Sequence, residues 1–438
     1  MPSAAPLSFP QKVVYAVGNL GAVLGDTIIA TFLLYFYFPP AGHGPDWIPP
    51  MVGALIPTWL LLNLIARAVD GMADPLVALW SDRSRHRLGR RRVFMLCGAV
   101  PLAFATALLF HPPAAPGSLW NVVYLGISMC LYFFLFTIYV APYLALLPEL
   151  GSNEKERLDL STFMALAALI GAGLAMVGGP ALFLPAGEES IADVQRMVWV
   201  LSLISGVAML IPAIWVREPS ADTAAEISPV GLFTSIRATL SDPAFRLYLL
   251  GTILFWFGFN IVRGATPYYV TVLMGESLAF QSLALGAVFA VAGICFPVIN
   301  ALAKRFGKAR TMMWGSGILA VALCLVPLIR GRSSGLAILG LSGIGVGVLL
   351  SVPNAILAEI CQRNAARTGQ RSEAMFFGAQ GFFLKLNLGI SSGILALLFT
   401  TLGNGPEKSA GVTFSGPLGA LVLVLSVWTF SRMRKLNY

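Results

Sequence analysis

The chain has 438 residues, of which 57% are hydrophobic and only 11% charged, with a net charge of +9. Soluble domains carry about 25% charged residues, so repeated apolar stretches of about 20 residues mark a polytopic membrane protein and exclude an ordinary soluble domain. The basic excess sits in loops, where it sets topology and gives no argument for nucleic acid. The five cysteines lie in or beside apolar segments without CxxC spacing, so neither a disulfide framework nor a structural metal site is indicated.

In chain order, twelve spans are predicted. The first six cover roughly 12–38, 51–80, 93–110, 120–147, 160–184 and 197–216. The first of them is too long for the apolar core of a cleavable leader and is expected to remain. The last six cover roughly 246–273, 278–303, 312–329, 335–360, 373–400 and 412–431. The expected organisation is an all-α polytopic protein with a first six-helix bundle over 1–216, a cytoplasmic linker over 217–245 and a second bundle over 246–438. Within the linker, SPVGLFTSIRATLSD reads either as a short interfacial helix or as plain connector. Lys and Arg crowd the loops after spans 2, 4, 6, 8 and 10 and both termini, which puts the termini in the cytoplasm.

Six charges fall well inside spans, away from their ends: Asp26, Arg67, Asp70, Asp74, Arg263 and Lys385. Each costs about 2.5–3.5 kcal/mol at mid-helix, and three negative and three positive charges can neutralise one another. The segment RAVDGMADP sets Arg67, Asp70 and Asp74 at i, i+3 and i+7, within an arc of about 60° on one helix face. Ion pairing that fixes helix register is the bland account. Two carboxylates one turn apart repel each other when ionised, however, and a bound cation or a proton relieves that repulsion. Asp70 and Asp74 therefore read as a coupling-ion site. Arg263 suits either structural pairing or anion binding. No GxxxxGK[ST] loop is present, so ATP-driven transport within this chain is not expected. No nucleophile–base–orienter set is visible, so no enzyme is expected. The glycine-rich GIGVGV at 343–348 lies inside a span and reads as close helix packing. Pro75, Pro142 and Pro353 are expected to bend helices and carry no chemistry.

The chain repeats itself. SDRSRHRLGRRRVFML follows span 2 and AKRFGKARTMMW follows span 8; APYLALLPEL ends span 4 and VPNAILAEI ends span 10. Two parallel six-helix halves are the consequence, and the basic loop after the second helix of each half resembles the major facilitator superfamily over nearly the whole chain. RAVDGMADP resembles the helix 2 motif Arg-x-x-Asp-x-x-x-Asp-Pro of the glycoside–pentoside–hexuronide:cation symporters. That resemblance implies cation binding by Asp70 and Asp74, with Thr137 in TIYVAPY as a helper. It implies a coupling role for Arg67 and Lys385, the latter five residues after Gln380 in QGFFLKLNLG. It also implies substrate contact by Asp26, which ends GNLGAVLGD. Asp82, Arg83, Gly89 and Arg90 resemble the superfamily loop after helix 2. With Glu149 and Glu359 at repeat-related positions, they are expected to form a cytoplasmic gate.

Departures qualify the substrate. Where the melibiose carrier of that family has an aspartate and an aromatic on helix 4, this chain has Val140 and Leu144. Where the carrier has an arginine on helix 5 and a lysine on helix 1, it has Ala165 and Gly25. Ala73 also replaces an asparagine between the paired aspartates. An apolar pocket leaves sugar hydroxyls unpaired. The mixture, with FFLK at 382–385, also resembles the lysophospholipid symporter of the same branch. The expected function is symport, driven by Na+ or H+, of a small organic solute, first a sugar or glycoside. A lysolipid or other amphipath, proton-coupled efflux, and a non-transport receptor or assembly factor are the alternatives. A monomer in the inner membrane, with no cofactor beyond the coupling ion, completes the expectation. Arg263, Val140, Leu144 and Gln380 join Asp26 as candidate substrate contacts.

Overall fold

The computed structural model describes residues 7–40, 43–52, 56–151, 154–184, 190–216, 218, 239–368 and 373–434. Helix α1 (Phe9–Ile28) continues through a π turn (Ile29–Leu33) to Tyr37. It is followed by α2 (Thr58–Arg83), α3 (Arg92–Leu108), α4 (Leu119–Leu150), α5 (Glu154–Gly173, then a second π turn and Gly179–Phe183) and α6 (Ile191–Trp215). The second set is α7 (Pro243–Tyr268, then a π turn, Tyr269–Leu273), α8 (Gln281–Phe306), α9 (Lys308–Cys324), α10 (Arg332–Ser351, resuming as Pro353–Thr368), α11 (Glu373–Leu402) and α12 (Ala410–Arg434). Among the described residues, ten helices are long and apolar enough to cross a membrane, and Arg92–Leu108 is a shorter apolar one. Helix α2 has the length but carries Arg67, Asp70 and Asp74 at its middle.

Polar residues at helix starts satisfy backbone donors that would otherwise face hydrocarbon. The Ser118 hydroxyl accepts from Trp120 N at 3.2 Å, and Asp242 Oδ1 accepts from Ala244 N and Phe245 N at 2.8 and 3.1 Å. Proline corrects two expected boundaries. Met51–Val52 and Ile56–Pro57 are extended, not the start of a span, and pair antiparallel with each other. Helix α2 begins only after Pro57, where Thr58 N donates to Pro50 O. Span 10 is not continuous, because Pro353 has no N–H and interrupts the ladder after Ser351. The interfacial helix considered for 228–242 lies outside the described residues up to residue 238.

The chain divides into two compact units. The first comprises Met1–Phe38, Pro45–Pro49 and Leu61–Ser228. The second comprises Pro39–Gly44, Pro50–Leu60 and Pro229–Tyr438. In the first, α1 packs on α5 and α6, and α3 on α4 and α6. In the second, α7 packs on α11 and α12, and α9 on α10 and α12. Each of these pairs is its counterpart shifted by six helices, as a duplicated bundle requires. Small residues let the backbones approach. A Cβ on Gly21 of α1 would lie 2.5 Å from the Ser205 carbonyl oxygen of α6, and one on Gly345 of α10 would lie 2.9 Å from the Gly315 carbonyl oxygen of α9. The GIGVGV run is thus where α10 meets its neighbours.

Candidate cation and substrate site

Helix α2 holds Arg67, Asp70 and Asp74 on one face, and α4 brings Thr137 to them. Asp70 and Thr137 are 1% and 2% exposed, Arg67 is buried and Asp74 half-buried. The Thr137 hydroxyl lies 3.1 Å from Asp70 Oδ1 and 3.3 Å from Asp74 Oδ1. It has one proton, so it can donate to only one carboxylate at a time. A cation between the carboxylates would meet the hydroxyl's lone pairs instead. Arg67 Nη1 pairs with Asp70 Oδ2 at 3.2 Å, and its guanidinium lies over the Phe133 ring at 4.1 Å. Tyr132, beside Phe133 on α4, is buried, and Asp26 of α1 is half-buried.

Val140 and Leu144 follow Thr137 on α4 by three and seven residues, the same face of that helix. Val140 is half-buried, while Leu144 and Ala165 are exposed. In the second unit Arg263 is buried on α7, 5.9 Å from the Phe259 ring. Gln380 on α11 is buried, and its Oε1 accepts from the Tyr248 hydroxyl of α7 at 2.9 Å. Lys385, further along α11, is half-buried.

The loop charges are arranged in two clamps, one in each unit. Glu149 at the end of α4 pairs with Arg90 at 2.5 Å and Arg91 at 2.6 Å. Glu218 accepts from the backbone N–H of Arg91 at 3.1 Å and pairs with Arg90 Nε at 3.5 Å. It thereby places a carboxylate at the N-terminus of α3, where helix-end donors need an acceptor. In the second unit Glu359 pairs with Lys308 at 2.8 Å and Arg363 at 2.6 Å. Arg83 is exposed at the end of α2, and the Asp82 side chain lies outside what is described. Sequence reasoning missed Arg91, Glu218, Lys308, Tyr132 and Phe133. The loop repeat pointed to Lys308, which follows a glycine as Arg90 does. Nothing in the sequence singled out the two aromatics.

A family model described as MFS/sugar transport protein matches residues 14–428. The chain is 25% identical to the isoprimeverose transporter of Lactiplantibacillus pentosus, covering 90% of this chain and 80% of that protein. It is 24% identical to the inner membrane symporter YicJ of Escherichia coli, covering 92% and 85%. Among solved structures, a bacterial homolog of the human lysosomal transporter Spinster aligns with a TM-score of 0.72 at 13% identity, covering 98% of each chain. That likeness establishes the shared major facilitator fold.

Proposed function

The chain belongs to the MFS/sugar transport protein family, and on that premise we propose that it couples a cation to the symport of a sugar or glycoside by alternating access. It is an integral membrane transporter and not an enzyme. The observation that carries the coupling proposal is the Thr137 hydroxyl set between Asp70 and Asp74. Three oxygens from two helices suit a hard monovalent ion, and the hydroxyl favours Na+ over H+, because a proton needs no neutral oxygen ligand. Asp26 and Arg67 are the substrate-facing and coupling groups of this reading. Arg263, Gln380 and Lys385 are their counterparts on α7 and α11. The two glutamate clamps steady the cytoplasmic loops as the carrier changes state. The crowding of Lys and Arg in the same loops supports cytoplasmic termini in an inner membrane, and a monomer suffices.

The test is uptake by proteoliposomes under an imposed Na+ or H+ gradient, with isoprimeverose as the first solute. Accumulation against its own gradient, abolished by Asp74→Asn, is expected. Equal accumulation by the Asp70→Asn/Asp74→Asn double variant would falsify the cation site. Val140, Leu144 and Ala165 favour a second reading, an amphipathic substrate. Lysophosphatidylcholine in the same assay decides it.

A further inference from the structure

We propose that Phe133 is a positioning residue for cation coupling: its ring keeps the Arg67 guanidinium in place while a cation at Asp70 and Asp74 weakens the Arg67–Asp70 pair. This inference rests on the symport reading above and concerns residues of the first unit alone.

A stripe of α4 meets the charged stripe of α2. Phe133 and Thr137 are one turn apart on α4, as Asp70 and Asp74 are on α2. The Phe133 ring centroid lies 4.1 Å from the guanidinium carbon of Arg67, and Thr137 lies against both carboxylates. The two oxygens of Asp70 have different partners. Oδ2 accepts from Arg67 Nη1 at 3.2 Å, while Oδ1 accepts from the Thr137 hydroxyl at 3.1 Å. Asp74 presents its own Oδ1 to that hydroxyl at 3.3 Å. A cation seated among these oxygens draws on the same carboxylate that holds Arg67.

The consequence for Arg67 is electrostatic. Its attraction to Asp70 falls when the carboxylate shares its charge with the ion. A buried guanidinium with a weakened partner is costly, and its flexible stem would let it swing toward Asp74 and oppose the ion. The ring face attracts a cation through its own quadrupole, so this hold is the same with the ion bound or absent. Arg67 and Phe133 are 8% and 3% exposed, so water screens the contact little. Arg67 Nε has no hydrogen-bond partner among the described residues, and the ring is a hold for which the ion does not compete. Buried Tyr132 meets Phe133 edge to face, with centroids 5.1 Å apart, and braces its tilt. A leucine would fill much of the space without offering a negative face. Arg67 would then depend on Asp70 and compete with the ion for it, so cation affinity should fall.

The experiment is thermal unfolding of the purified full-length protein, titrated with sodium chloride at fixed pH and ionic strength, with no solute added. Phe133→Leu should raise the Na+ concentration for half-maximal stabilisation about tenfold, and Phe133→Tyr, which keeps the ring, by less than about threefold. Replacing Phe133 with mono-, di- and trifluorophenylalanine keeps the shape and drains the ring face, so the half-maximal concentration should climb with each fluorine. With Arg67→Gln the same series should be flat. A fluorine series that titrates like the wild type, or one as steep with Arg67→Gln as with Arg67 present, overturns the positioning role, and this holds even if Phe133→Leu does not fold. The cation site still stands in that case if Asp74→Asn loses the Na+ response. A wild type without any Na+ response, or a response that Asp70→Asn/Asp74→Asn retains, overturns both.

Discussion

Removing the Asp70 charge should destabilise the protein more than removing Asp70 and Arg67 together. Arg67 and Asp70 are 8% and 1% exposed and 3.2 Å apart. At an effective dielectric of about 20, their attraction is about 5 kcal/mol. Asp70→Asn removes that attraction and leaves a buried guanidinium whose nearest compensation is the Phe133 face, worth about 2 kcal/mol. Breaking one side of a buried pair costs about 3–5 kcal/mol, whereas replacing both partners is often close to neutral. Asp70→Asn should therefore lower stability by about 3 kcal/mol or more, and Arg67→Gln/Asp70→Asn should recover at least half of that loss. The assay is a double-mutant cycle on purified protein, read as thermal unfolding with Arg67→Gln as the fourth corner. Additive losses in the double variant would show that the two charges do not depend on each other, and the reading of the cluster would fail. Gradient-driven uptake should remain absent in both variants, since the carboxylate is gone from each.

Thr137→Ala should raise the Na+ concentration for half-maximal uptake about tenfold, since one oxygen ligand is worth about 1–1.5 kcal/mol, with little change in unfolding temperature; an unchanged sodium dependence would remove Thr137 from the site. Glu149→Gln should destabilise by about 1–3 kcal/mol, because Arg90 and Arg91 are mostly buried beside it, and Glu359→Gln by less than about 1 kcal/mol, because Lys308 and Arg363 are solvated; thermal unfolding of the two variants checks the order. Gly21→Val should split α1 from α6 and cost more than about 2 kcal/mol, since even its Cβ would crowd the Ser205 carbonyl oxygen and Met209. Gly317→Ala, with nothing within 4 Å, should be neutral or stabilising by up to about 1 kcal/mol in the same measurement.

The charged motif on α2 was legible because an ionised group inside an apolar run is costly and so stands out from its neighbours. Thr137 was not legible by itself. A threonine in a span bonds its own backbone as readily as it binds an ion, and only the resemblance to cation symporters pointed to the second role. Tyr132 and Phe133 left no trace in the sequence, because aromatic residues are ordinary along the whole of α4; it takes the fold to bring Phe133 under Arg67. Glu218 was equally silent: a single acid in a connector has no periodicity to mark it. The start of span 2 was misread for a physical reason too. MVGALIPTW is as apolar as a span, and hydropathy does not register that Pro57 delays the helix to Thr58.

The duplication shows which parts of the two halves were free to diverge. Gly89 and Gly307 both adopt positive φ, 112° and 90°, where the chain leaves one helix for the next. Each is followed by the cation that meets the repeat-related glutamate, Arg90 with Glu149 and Lys308 with Glu359. Carrying that glycine register back along α2 and α8 sets Arg67, Asp70 and Asp74 against Leu285, Val288 and Ala292, all three buried. Carrying the glutamate register back along α4 and α10 sets Thr137 against Gly347. A Cβ on Gly347 would lie 3.1 Å from the Ala292 carbonyl oxygen, so the helix contact that joins Thr137 to Asp74 in one half is a glycine-to-backbone contact in the other. Close packing at that crossing leaves no room for an ion like the one proposed at Asp70 and Asp74. The loop clamps are common to both halves because both have to hold a helix turn in place. The ligands proposed for the coupling ion lie on α2 and α4, so a cation bound there would act on that crossing, while the α8–α10 crossing is closed by glycine-to-backbone contact.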